Sequence, residues 1–144
     1  MRCLKSALIG KLFMSDPELV QNILTNILTA VSRIERRFKN IQRPDDFVMD
    51  DSGIDRLDGI TMMLIAIGEQ LKQLDKVVEV DLETHYPEVD WKGVKGIRDF
   101  LSHHYFVLDA EVIFDVCRNK IDGLADAIDS LDASLYGDAR SPER

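Results

Sequence analysis

Two cysteines, one tryptophan and four prolines in 144 residues leave little of the chemistry that staples or punctuates small folds. Cys3 and Cys117 together make at most one bridge, which excludes a disulfide scaffold; two thiols in a helix-rich chain point to a reducing, cytoplasmic setting. Positive charge is scarce as well: 18 Lys and Arg stand against 26 Asp and Glu, a formal net charge of −8. General phosphate affinity comes from surplus cations, so any nucleic-acid contact has to rest on a local basic groove. No apolar run approaches the ~18–20 residues of a membrane span, so no membrane association is expected. The segment Ala7–Phe13 is broken by Lys11, follows Lys5 and lacks a small-residue cleavage site, which argues against a signal peptide. Zinc-ligand spacing, a phosphate loop and a dinucleotide fingerprint are all missing, so neither metal nor cofactor is expected.

What is present is helical periodicity. Hydrophobic residues at 45 % and charged residues at 31 % suit one domain with a real core. Leu19, Val20, Ile23, Ile27, Val31, Ile34 and Phe38 recur every three or four residues and line one face of a long first helix. Ser15 and Glu18 form a Ser-x-x-Glu capping box, with Pro17 suited to the first turn. A polar connection from Asn40 to Asp51 leads to a second helix carrying Ile54, Leu57, Ile60, Leu64, Ile67, Leu71, Leu74 and Val78, with Ser52 as its expected cap. A Pro-containing linker, Thr84–Asp90, precedes a short third helix opening near Asp90 and Trp91, with Val94, Ile97 and Leu101 on its stripe. A long fourth helix is expected to open at Asp109 and run through Ile113, Val116, Ile121, Leu124, Ile128, Leu131 and Leu135, with Gly137 ending it. The expected fold is all-α: an antiparallel up-and-down bundle of four to five helices. Residues 15–137 form the bundle domain, 138–144 a tail, and 1–14 either a terminal extension or a stretch before a natural start at Met14.

One stretch concentrates reactive side chains: Gly96-Ile97-Arg98-Asp99-Phe100-Leu101-Ser102-His103-His104-Tyr105-Phe106. Arg98 and His103 stand five residues apart, about 7.5 Å along a helix axis and roughly 140° apart in direction, so a groove between two such helices assembles the pair better than one helix does. An imidazole can accept the proton of a ribose 2′-hydroxyl near neutral pH, and a guanidinium can hold phosphate oxygens as charge builds. The attacking group then belongs to the RNA, and no Ser or Cys nucleophile is needed. Asp99, four residues before His103, is placed to hold its ring in one tautomer. Taken by spacing alone, the same residues also fit a solvated helix face.

The pattern Arg98-x-x-x-x-His103-x-Tyr105 resembles the signature of HepT-like HEPN proteins. The flanks Tyr86-Pro87-Glu88-Val89-Asp90-Trp91, Gly96-Ile97 and Tyr105-Phe106-Val107-Leu108-Asp109 agree, and Ile67-Gly68-Glu69 with Leu71-Lys72 looks like the family's second-helix motif. The likeness spans roughly Leu19 to Leu131. It implies a homodimeric, metal-independent endoribonuclease with Arg98 and His103 as catalytic residues from both subunits. It further implies the toxin role of a type VII-like toxin–antitoxin pair, whose MntA-like nucleotidyltransferase antitoxin transfers AMP to the motif tyrosine, here Tyr105. Asp99 sits where many HEPN nucleases have Asn, and His104 fills a variable position.

Other features carry two readings each. Lys92, Lys95 and His104 give the third helix a basic flank that is either a candidate RNA or phosphate contact or a solvated face. Arg33, Arg36, Arg37, Lys39 and Arg43 form a second basic cluster with the same ambiguity. Gly68 inside a helix points to close packing or to a ligand at the backbone, and Glu69 to a cleft or a solvated position. Met62 and Met63 read as core or dimer contact, and Asp122, Asp126, Asp129 and Asp132 as a solvent face. Beside the nuclease stands a non-catalytic alternative: a dimeric nucleotide- or substrate-binding subunit of a two-component nucleotidyltransferase.

Overall fold

The computed structural model describes residues 17–103 and 109–137. Among these lie six α-helices and one short 3-10 helix, with no strand. Helix α1, Pro17–Phe38, buries Val20, Ile23, Leu24, Ile27, Ala30, Val31 and Ile34, the expected stripe widened by Leu24 and Ala30. It stops at a left-handed Asn40 (φ 72°), a conformation asparagine tolerates better than most residues. Arg56 of the next helix donates through Nη1 to the carbonyls of Arg37 (3.1 Å) and Lys39 (2.8 Å), satisfying groups that a helix end leaves without partners.

The connection to the second helix is more structured than its polar sequence suggests. Pro44–Phe47 forms the 3-10 helix, and Phe47 is fully buried with its ring 6.2 Å from that of Phe38. Gly53 makes this packing feasible, because a Cβ there would lie 2.3 Å from the Asp46 carbonyl oxygen. Helix α2, Asp51–Val77, is capped by Asp50, which accepts from the Gly53 amide at 2.7 Å; Ser52, the expected cap, already lies inside the first turn. Helix α2 buries residues on two flanks, since α1 packs on one side and the reactive helix on the other.

Part of the expected linker folds into a single-turn helix α3, Leu82–His85, capped by Asp81. Helix α4, Trp91–His103, follows. The expected long fourth helix is in fact two: α5, Ala110–Asn119, and α6, Ile121–Tyr136, separated at Lys120 (φ −121°, ψ −30°). Apolar steps of three and four residues continue across the break through Val116, Cys117, Ile121 and Leu124, so periodicity could not reveal it. The break serves packing. Phe114 of α5 sits 5.4 Å from Phe38 and α5 covers the 3-10 helix, whereas α6 lies along α1 and brings the Tyr136 hydroxyl to the Pro17 carbonyl. Asp109 caps α5 as expected, accepting from Glu111 and Val112. Gly137 ends α6 with right-handed dihedrals (φ −57°, ψ −41°), not the left-handed turn for which glycine is favoured. Helices α1, α2, α4 and the α5–α6 pair thus alternate up and down. Ser15, residues 1–14 and the 138–144 tail lie outside the described residues.

Candidate active site

Helix α4 is anchored before it reaches its reactive end. Trp91, 2 % exposed, donates through Nε1 to the Tyr86 carbonyl at 2.9 Å, and Val94, Ile97 and Leu101 bury one stripe. Asp90 accepts from the Gly93 amide at 3.0 Å in the first turn. That hydrogen bond holds the Asp90 carboxyl below its ordinary range against the opposing effect of burial, and Lys120 at 3.4 Å adds to the lowering.

The flank of α4 that faces α2 closes tightly. A Cβ placed on Gly68 would meet the Arg98 Cβ at 3.0 Å and the Val94 carbonyl oxygen at 3.4 Å, so this mid-helix glycine serves close helix approach. Polar side chains then meet across the seam. Arg98 Nε pairs with Glu69 Oε1 at 2.5 Å, and Arg98 Nη1 with Asp99 Oδ1 at 3.1 Å. Lys72 Nζ lies 3.7 Å from the same Asp99 oxygen, and Lys95 pairs with Asp75. Glu69 Oε1 is shut off from solvent, and it faces the guanidinium as an ion pair without hydrogen-bond alignment.

Three cations, Lys72, Lys95 and Arg98, are therefore balanced by three carboxylates, Glu69, Asp75 and Asp99. Along this seam the charges pair one to one. Lys95 is engaged by Asp75, while Lys92 is exposed beside a shallow depression shared with Glu83, Pro87 and Asp90. Asp75 was not singled out in the sequence. Its place three residues beyond Lys72 and six beyond Glu69, on one face of α2, is the pattern that pairs with Lys95, Arg98 and Asp99.

His103 sits exposed at the last turn of α4, and its Nδ1 lies 2.6 Å from the Asp99 main-chain carbonyl. A carbonyl oxygen only accepts, so Nδ1 carries a proton and, in the neutral ring, Nε2 is the basic nitrogen. Asp99 thus does hold the ring, but through its backbone; its carboxylate is turned to Arg98 and Lys72. No hydrogen bond or ion pair links Arg98 to His103, as their divergence on one helix requires. His104 and Tyr105 lie outside the described residues.

Several of the other features named in the sequence have structural partners. In the second basic cluster Arg37 donates to the Arg33 carbonyl and Arg43 pairs with Asp46 at 3.5 Å. Met62 is 60 % exposed while Met63 packs partly against the core. Asp122, Asp126 and Asp129 face solvent and Asp132 is half-buried. No cluster of three or more metal-ligating side chains occurs among the described residues.

Comparison with known proteins identifies a family. The family model described as "Ribonuclease HepT-like" matches residues 27–131. A Methanocaldococcus jannaschii protein named as a candidate RNase, MJ0127, is 32 % identical over 101 residues, covering 70 % of this chain and 78 % of that protein. A second from the same organism, candidate RNase MJ1216, is 31 % identical over 62 residues, 43 % of this chain and 48 % of its own length. No solved structure matches significantly. With the matched span running from the middle of α1 to the last turns of α6, and the helix bearing Arg98 and His103 inside it, the chain belongs to the HepT-like ribonuclease family.

Proposed function

We propose that this protein is a metal-independent endoribonuclease in which His103 and Arg98 do the chemistry. The observation that carries the reading is the His103 ring fixed through Nδ1 by the Asp99 carbonyl, which assigns the role of base to Nε2. Nε2 takes the proton of a ribose 2′-hydroxyl, the 2′-oxygen attacks the adjacent phosphorus, and the bond from phosphorus to the 5′-oxygen breaks. The leaving 5′-oxygen receives a proton from an imidazolium, so the products are a 2′,3′-cyclic phosphate and a 5′-hydroxyl. Arg98 stabilises charge on the phosphate oxygens. Because Arg98 and His103 diverge by roughly 140° on one helix, the working groove belongs to a homodimer, where the helix of a second copy supplies the missing member.

The same reading makes the protein the toxin of a type VII-like pair, with an MntA-like nucleotidyltransferase as antitoxin and Tyr105 as the acceptor of AMP. An anionic adduct near Arg98 would occupy the phosphate site and repel RNA. The neutral seam and the net charge of −8 favour one competing reading, a dimeric nucleotide-binding subunit of such a transferase. Cleavage of RNA in excess EDTA separates them. The nuclease reading expects wild-type cleavage and a loss of about 10²–10⁴-fold in His103→Ala, with Arg98→Ala similarly impaired. A folded, unmodified wild-type protein that leaves varied RNAs intact would favour the binding subunit.

A further inference from the structure

We infer that Glu69 is a positioning residue for Arg98: it pins the guanidinium through Nε and holds its charge in check until RNA phosphate arrives. The inference rests on the nuclease reading above for its kinetic part and on geometry alone for its binding part. Three features converge on it. Gly68 removes the side chain that would keep α2 and α4 apart, so the Arg98 Cβ lies against the α2 backbone and its chain must leave along the seam. Glu69, the next residue, places Oε1 against Arg98 Nε, and that oxygen has no solvent to fall back on. Asp99 takes the Nη1 side at 3.1 Å and is itself drawn toward Lys72. Of the five N–H donors of a guanidinium, these two carboxylates face the Nε edge and part of Nη1, so that among the described residues the Nη2 end of the fork is left to present to a phosphate.

Such an arrangement has two opposed effects. Fixing a long, flexible arginine before the substrate binds removes ordering that would otherwise fall on the transition state. A carboxylate in direct contact with the guanidinium also weakens its attraction for phosphate in the ground state. Glu69→Gln keeps the size of the side chain and removes the charge. It is expected to lower kcat by about 10-fold while lowering KM, a split that loss of folded protein would not produce. It is also expected to change binding in a counted way. One further cation becomes available to the phosphates, so the slope of log binding constant against log salt steepens by about 0.7 for a single strand.

The experiment measures both quantities, with cleavage in EDTA for kcat and KM. For binding it uses a non-cleavable 2′-O-methyl oligonucleotide at several salt concentrations, comparing His103→Ala with His103→Ala/Glu69→Gln. Asp129→Asn, on the solvent face of α6, controls for net charge alone. A steeper slope for Glu69→Gln but not for Asp129→Asn supports the inference. An unchanged slope, or equal changes in both variants, overturns it, even if cleavage persists. Absence of wild-type cleavage together with the predicted slope change would remove the nuclease reading and leave the hold of Glu69 on Arg98 standing.

Discussion

Helix α4 has one flank against α2 and another toward α5 and the start of α6, and glycine is used on the two in opposite ways. A Cβ on Gly68, across the first flank, would meet Arg98 at 3.0 Å, whereas one on Gly96, on the second, would meet nothing within 4 Å. The α2 flank is closed by backbone approach and then by ion pairs. The other is a groove of about 360 Å³ lined by apolar residues including Gly93, Gly96, Ile97, Phe100 and Val116. The closed flank determines where Arg98 can go, while His103, at the last turn of the same helix, is exposed. A short helix thereby keeps one reactive group fixed and the other presented, which uniform packing on both sides would prevent.

The contrast breaks most visibly at neighbouring residues. Leu101 is 2 % exposed and Phe100 is 43 % exposed. Leu101→Ala should cost about 2–5 kcal/mol, read as a fall in the denaturation midpoint by circular dichroism, because it leaves a cavity under α4. Gly68→Val should follow at about 1–3 kcal/mol, and it should also displace Arg98 and depress RNA cleavage beyond what the lost stability explains. If Gly68→Val retained full stability and activity, the closed flank would not depend on glycine.

Smaller effects sharpen the same comparison. Asp90→Ala removes the cap that starts α4 and should cost about 1 kcal/mol. Its pH signature follows from the lowered folded carboxyl. The stabilisation is complete above the ordinary value of 3.8 and is lost as pH falls through the lower folded value, so the gap between wild type and Asp90→Ala should close in acid. Chemical denaturation from pH 6 down to 2 checks this, and a gap independent of pH would contradict it. Phe100→Ser should cost less than Leu101→Ala, about 1 kcal/mol, because its ring is 43 % exposed. Least affected of all is Cys117: burial pushes its thiol up to about 12, so peptide mapping after iodoacetamide at pH 8 should find it unlabelled in the folded protein.

Much of this was legible in order along the chain. The apolar stripes of α1, α2 and α4 lie where the spacing puts them except at Ile54, which is 42 % exposed; Asp109 caps α5, and Trp91 anchors the reactive helix. The break at Lys120 was not legible, because an apolar stripe is a property of one chain segment while the break answers to two different neighbours. Nor did the polar run before α2 disclose its 3-10 helix, which depends on Phe47 finding the Phe38 ring and on Gly53 giving way.

The chemistry divides along the same line. Reading along the chain is enough to find an arginine and a histidine five apart near the end of a short amphipathic helix, together with the family to which that pattern belongs. Helical periodicity and side-chain chemistry are local, and both are written in adjacent residues. Packing between helices decided that Asp75 engages Lys95 and that Glu69 meets Arg98 across the seam closed at Gly68. Those outcomes depend on the distance and rotation between two helices, and packing sets both.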